Sequence, residues 1–534
     1  PSLLLVFPLI FFLFQVVEKR KMPYLDHSEN IVTVEWNENI HVDENRARTL
    51  DLLAAVQSDS VLQSSALVGE QQFLLQGDGQ LMASETSIYL KSFDTETIEA
   101  VTGRVVDYIE KNFATPHVSF VDTKGLGCKD LIYNDDTAAG AIARFREAGV
   151  DAVVMINANF GNEEAAADIA KALGVPFALF APLDDEYYED GMRPTDSQCG
   201  LFGISRQLQR FNIPFSHIPC CRVEDAEFAG ALTRFFRVAC MVKNFRNLRV
   251  GQLGTRPAPF FSVIWNEGEL MQKFGLRITP INLAVLQDRF TKTMETKKEE
   301  IAKYEALFRE KYRMDDLTPQ YLTRMACLLV TYIGLFEEFR LDVLSAECWT
   351  ATPVMFDGLA PCAVYGILAD MGYIVSCESD LHCAITMALL SAAAFGEKTP
   401  FLGEFTVRHP ENRNAELLWH CGPFPPSVKA PDSPARLVNQ REWLRAKPGE
   451  YTLARIDQEA GNYMVLAGKV RTTKGPQTHG TYLWAEFENL QAWEDRLLDG
   501  PYIHHFAEIE GDFTAEIREF CKYVPNLAVD KTLD

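Results

Sequence analysis

The sequence predicts an α/β protein: two doubly wound α/β domains followed by a β-rich, small barrel-like C-terminal domain. Three observations carry this. Helical and strand-length apolar runs alternate between Asp135 and Pro182, the same rhythm restarts at Asn247, and after Gly396 it gives way to short alternating segments rich in Pro and Gly. A chain of 534 residues also exceeds the roughly 250–300 at which a single core stops growing. The expected division is 22–245, 246–375 and 376–534.

In the first domain, DTAAGAIARFREAG and EEAAADIAKALG place apolar residues at helical spacing and end in Gly149 and Gly174. DAVVMINA and VPFALFAP are runs of strand length. Strands apolar on both faces, alternating with helices, indicate parallel βαβ units. The second domain opens with the strand LRVGQLG and continues into TRPAPF, where Pro257 and Pro259 exclude a helix. A charged helix over 295–312 and an apolar one over 319–339 follow. Next come a strand over 341–347, a helix over 361–372 and a strand over 373–379. Beyond Gly396, YTLARI, NYMVLAGKV and TYLWAEF read as antiparallel strands, and FTAEIREFCKYV as a closing helix. Residues 36–86 read as mixed helix and loop.

Composition narrows the function. The formal charge is 51 − 74 = −23, an acidic surface that argues against nucleic acid, which needs clustered Lys and Arg. Twelve cysteines are scattered without a CxxC pair, as in a reducing, cytoplasmic compartment. The apolar run over residues 1–17 is broken by Pro8 and followed by Lys19, Arg20 and Lys21, which is the wrong polarity for a signal peptide. Residues 1–21 are expected to be a leader upstream of Met22 and not part of the fold. A membrane anchor is the alternative, and without one no membrane partner is expected. GQLGTRP lacks the third glycine of a dinucleotide fingerprint, and no P-loop, GxSxG or HExxH is present.

Chemistry is expected beyond the carboxyl ends of the parallel strands. LDVLSAE ends on Glu347, and YIVSCESD carries Glu378 and Asp380. Adjacent strands lie about 4.8 Å apart, which would bring Glu347 and Asp380 to one sheet edge. With an extended backbone Glu378 and Asp380 point the same way, so either could serve. Two carboxylates and a histidine suit a hard divalent cation, which can hold neighbouring sugar oxygens and polarise a carbonyl. The plainer alternative is that strand-end acids cap helices or face solvent.

The segments AECWTATP…PCAVYGILADMGYIVSCESDLHCAITM, RVGQLGTRPAPF, FLGEF…ELLWHCG and PYIHHFAEIEGDF occur in the order found in the L-fucose isomerase/L-arabinose isomerase-like family. The chain resembles that family over most of its length after about residue 135. The resemblance implies a metal-dependent aldose–ketose isomerase acting on a free deoxyhexose or pentose through an enediol. Metal ligands would be Glu347, Asp380 and a histidine of the HH pair, best His505 and less well His504. Glu347 and Asp380 would double as the acid/base pair. It further implies Mn2+ (or Mg2+ or Co2+), a homotrimer or homohexamer, and a neighbouring subunit closing the site. This chain departs from the family at Leu381, His382 and Cys383, where an aromatic and a small residue stand, so His382 is a candidate for tuning sugar choice.

His420, in WHCG, is a candidate sugar contact. Trp349 is a candidate for stacking on a sugar face, with core packing as the commoner fate for such a Trp. His409 and His479 read as loop residues. Two other classes compete with the isomerase: a catalytically silent sugar-binding homologue, and another metal-dependent sugar enzyme such as an epimerase.

Overall fold

The computed structural model describes residues 27–41, 44, 47, 48, 51, 67–75 and 81–93, and then 95–533 except 127–129, 133, 186, 188–194 and 315. The expected leader lies outside the described residues. Among the described residues no helix is long and apolar enough to cross a membrane.

The strands His27–His41, Leu67–Leu75 and Leu81–Phe93 form an antiparallel sheet with Leu81–Phe93 in the centre. The sequence reading expected mixed helix and loop here. The correction applies over 36–41, 67–75 and 81–86, which are strands, while residues 44, 47, 48 and 51 are helical.

The first parallel unit follows. Asp135–Ala148 begins with a reciprocal capping box between Asn134 and Thr137, and ends at Gly149, whose φ of 64° is cheap only for glycine. Glu163–Leu173 is capped by Asn162 and ends at Gly174 in the same way. Val153–Ile156, Phe177–Pro182 and Ser216–Cys221 pair in parallel, and all six residues of the central strand are buried. Helix Ala226–Asn247 then carries the chain to the second unit.

That unit is a four-stranded parallel sheet in the order Ile374–Ser376, Val343–Ala346, Arg249–Leu253, Arg277–Ile281. Its two carboxylate-bearing strands are immediate neighbours, with Ser345 opposite Ser376. The charged helix expected over 295–312 is Lys298–Lys311, and a further helix, Leu283–Thr296, precedes it across Lys297.

The C-terminal region is a closed antiparallel barrel. Asn462–Thr472, Glu450–Glu459, His505–Glu510, Phe401–Arg408, Ala415–His420 and Thr481–Glu486 pair in turn, and the last pairs back with the first through Arg471 and Glu486. Closure removes the exposed sheet edges. Helix Leu381–Ala393 joins barrel to parallel sheet. Eleven of its thirteen residues are buried, so it is covered on every side. Its apolar residues share one core with Val343 and Ile374 of the sheet and with Ala454 and Ala507 of the barrel.

Helix Cys362–Asp370 packs so closely on the barrel module that a Cβ at Gly366 would lie 2.6 Å from the Phe424 carbonyl oxygen. Gly366→Ala is therefore expected to lower stability by about 1–3 kcal/mol. Equilibrium urea unfolding checks this, and an unchanged midpoint would mean that the contact is not as tight as described.

Candidate active site

The parallel sheet and the barrel meet where strand Ile374–Ser376 ends. The backbone does not stay extended there, as the sequence reading assumed. Cys377–Ser379 form a turn in which Glu378 has φ 62° and Ser379 φ 58°. Two successive non-glycine residues in the left-handed region cost about 1–3 kcal/mol each, and such outliers concentrate at functional sites. The turn separates the two acids that an extended strand would have aligned. Asp380 becomes the N-cap of helix Leu381–Ala393, accepting from the Cys383 amide at 2.9 Å. Glu378 turns toward the barrel, its carboxylate 3.4 Å from His505 Nε2.

His505 opens its barrel strand opposite Glu404, whose carboxylate lies 3.5 Å from the same Nε2. On its other side His505 Nδ1 meets Asp380 Oδ2 at 3.1 Å. A carboxylate behind an imidazole fixes the ring's orientation and leaves its second nitrogen free to act. His420 adds a second buried imidazole, its ring centroid 5.8 Å from that of His505. Nε2 of both His420 and His505 is buried with no hydrogen-bond partner. Phe260, on the loop after Arg249–Leu253, packs on His504 and His505 with centroid separations of 5.9 and 5.5 Å.

Electrostatics follow from this crowding. Burial raises the Glu378 carboxyl to about 6, with the charges of Glu404 and Asp380 adding to it and His505 opposing. Burial would lower His505, but its contacts with Asp380 and Glu404 and the charge of Glu378 outweigh that and raise it to about 9. Burial likewise opposes ionisation of Asp380, yet Arg455 and His505 hold it well below the usual carboxylate range. His504 is desolvated beside cationic His505 and falls to about 4.

The residues singled out from sequence are thus sorted. His505 and Asp380 meet. Glu347 ends its strand as expected, with Gly254, at φ 74°, so close that a Cβ there would lie 3.1 Å from its own Cβ. Its carboxylate accepts from the amides of Thr350, Ala351 and Thr352 and from both threonine hydroxyls, at 2.5–3.0 Å. It therefore caps the following turn, and no contact joins it to His505. His382 is 2% exposed, with Nδ1 3.2 Å from Asp457 and its ring edge-on to Tyr463. Trp349 is 45% exposed beside Glu378, so it stands on the rim and not in the core. His409 is held by the Lys474 carbonyl and two local amides, as a loop residue.

Glu404, Arg455 and Asp457 were not read as site residues. The available signal was acid or base inside otherwise apolar strands, FLGEF and TLARID, with Arg455 and Asp457 two apart on one face.

The donor set suits a divalent cation. One ligand atom from each of Glu378, His420 and His505 lies within 4.8 Å of the others, and Glu404, His504 and His505 form a second such group. His505 is common to both, and its one free nitrogen serves one ion at a time. The two unpartnered imidazole nitrogens favour the first group.

A family model described as "Fucose/sulfoquinovose isomerase, N-terminal domain" matches residues 90–246. A sulfoquinovose isomerase of Alkalicoccus urumqiensis is 26% identical over 386 residues, covering 69% of this chain and 83% of its own. One of Priestia aryabhattai is 24% identical over 456 residues, covering 82% and 97%. One of Clostridium sp. (strain MSTE9) is 22% identical over 380 residues, covering 68% and 83%.

In Mn2+ titration calorimetry, Glu378→Gln, His420→Asn and His505→Asn should each weaken binding at least about tenfold. Glu347→Gln should keep the ion and lose stability. A Glu347→Gln protein that folds normally but no longer binds Mn2+ would restore the ligand set that the family resemblance implies.

Proposed function

We propose that the chain is an aldose–ketose isomerase of the L-fucose isomerase-like family, as its similarity to that family's model and to sulfoquinovose isomerases supports, and that it isomerises sulfoquinovose, a 6-deoxyhexose bearing a C6 sulfonate, with the help of a divalent cation such as Mn2+. This replaces the L-fucose or arabinose type of substrate expected from sequence, because the relatives are named for the sulfonated sugar. The observation that carries the reading is the pair of buried nitrogens without a hydrogen bond, His420 Nε2 and His505 Nε2, gathered with the Glu378 carboxylate.

In this reading Glu378, His420 and His505 hold the ion. When bound, it supplies Lewis-acid polarisation of the open-chain carbonyl and a hold on the neighbouring oxygen. The protein's own task is to move one proton from C2 to C1 and one from the C2 hydroxyl to the C1 oxygen, so that the carbonyl passes from C1 to C2 at unchanged mass. Of the four carboxylates near the seam, Glu347 is occupied by residues 350–352 and Asp380 by Arg455 and His505. Glu404 faces His505 Nε2 from the barrel side, opposite no cation but the histidines. It is the group proposed to carry the proton, through an enediol. Trp349 and Phe260 on the rim exclude water from that intermediate.

An anionic substrate entering a site lined by acids needs a local cation. Arg256 lies on the same loop as Phe260, with its guanidinium 4.4 Å from the Phe261 ring centroid and Nη1 bonded to the carbonyls of Pro257 and Ala258. We assign it to the sulfonate. A homotrimer or homohexamer in the cytoplasm belongs to the same proposal.

The first test is turnover of sulfoquinovose, 6-deoxyglucose, L-fucose and L-arabinose by chelator-stripped protein, with and without added Mn2+. Ketose of unchanged mass should form from sulfoquinovose, stop with chelator and return with Mn2+. Absence of product from every sugar, with the ion bound, would favour a silent sugar-binding homologue. Glu404→Gln should bind Mn2+ normally yet lose about a hundredfold or more in kcat, together with solvent-deuterium incorporation into product. Arg256→Ala should raise KM for sulfoquinovose at least about tenfold and leave that for 6-deoxyglucose unchanged; an equal effect on both sugars would remove Arg256 from sulfonate recognition.

A further inference from the structure

Behind His505 runs a line of buried charge that the proton transfer does not use. Arg455, in strand Glu450–Glu459, is 1% exposed. Its Nη1 donates to Asp380 Oδ2 at 2.7 Å, its Nη2 to Asp380 Oδ1 at 3.4 Å, and its Nε to Asp457 Oδ2 at 2.7 Å. Asp457 Oδ1 meets His382 Nδ1 at 3.2 Å on the far side. Nη1 also donates to the backbone carbonyl of His505 at 3.2 Å. The guanidinium therefore grips His505 twice, once by its main chain and once through the carboxylate that holds its ring.

We propose that Arg455 is a positioning residue for the metal-binding imidazole: it fixes Asp380 and the His505 backbone together, so that His505 Nε2 is aimed at Glu378 and Glu404. The assignment rests on the reading of His505 as a metal ligand. A planar fork suits the task because it satisfies two carboxylates and a carbonyl in one geometry, which a lysine ammonium on a flexible stem does not. Burying a guanidinium with two carboxylates contributes little net stability compared with a well-packed apolar replacement, so its use here is orientation. Asp457 and His382 complete the line by holding Nε, and this gives His382 a role behind the site without contact with the sugar.

The experiment is Mn2+ titration calorimetry on the full chain, with thermal unfolding alongside. Variants are Arg455→Met, Arg455→Lys, Asp380→Asn, the double variant Arg455→Met/Asp380→Asn, and Asp457→Asn. Arg455→Met should weaken Mn2+ binding about 10–100-fold, as loss of groups that orient a ligating histidine does. Arg455→Lys should lose less. The double variant should lose no more than the worse single variant, because both act through one imidazole. A folded Arg455→Met protein with lowered Tm but Mn2+ affinity within twofold of the parent would overturn the proposal and leave Arg455 a structural residue. Should Arg455→Met not fold, Arg455→Lys and Asp457→Asn decide, and parental affinity in both overturns it. A parent chain that binds no Mn2+ would overturn the site reading and this proposal together. Parental binding without turnover of sulfoquinovose would count against the substrate alone, since the affinity ratios still read Arg455.

Discussion

The left-handed turn at Glu378 and Ser379 is the constraint on which the site depends. It stops strand Ile374–Ser376, sends Glu378 toward the barrel, and starts helix Leu381–Ala393 with Asp380 as its cap. That helix is buried on nearly every side and its apolar residues are shared by the cores of both units, so its burial holds the turn in place. Each buried Leu or Ile side chain contributes about 1.5–3 kcal/mol, against about 1–3 kcal/mol for each strained residue. The strain is thus outweighed by packing that lies outside the reacting centre.

The second organising feature is the concentration of acid at the seam. Glu378, Glu404 and Asp380 converge on one imidazole, and carboxylates this close repel unless cations stand between them. Arg455 neutralises Asp380 from behind, and His505 is drawn toward its charged form. Removing one partner of such a buried pair costs about 3–5 kcal/mol, because the other is left uncompensated. What remains facing the seam is an acid-rich cluster around the Nε2 atoms of His420 and His505, a donor set that suits a divalent cation. For the proposed sulfonated substrate, the same acidity asks for a cation on a loop, the part proposed for Arg256.

The barrel contributes more than a scaffold. Glu404, His420 and His505 come from three consecutive barrel strands, while Glu378 and Asp380 come from the end of the parallel sheet. The barrel supplies the histidines and Glu404, but Glu378 and Asp380 come only from the sheet. The site exists only where strand closure on one side and the sheet's carboxyl edge on the other are pressed together by the helix between them.

The sequence by itself determined the α/β class, the order of most elements, the β-rich closing module and the adjacency of the Glu347 and Asp380 strands, while the family resemblance pointed to the HH pair, best His505, as sharing a site with Asp380. Those rest on local information: apolar period, glycine and proline punctuation, acids at strand ends, and an ordered series of short motifs. The tertiary structure decided which carboxylates are free. Glu347 is taken by amides three to five residues on. Asp380 is taken by Arg455, 75 positions away. Glu378 is turned out by two φ angles that no residue type there announces. Periodicity reports which face of an element is buried, but not which distant charge a buried carboxylate will meet, because that contact forms only when barrel and sheet close on each other.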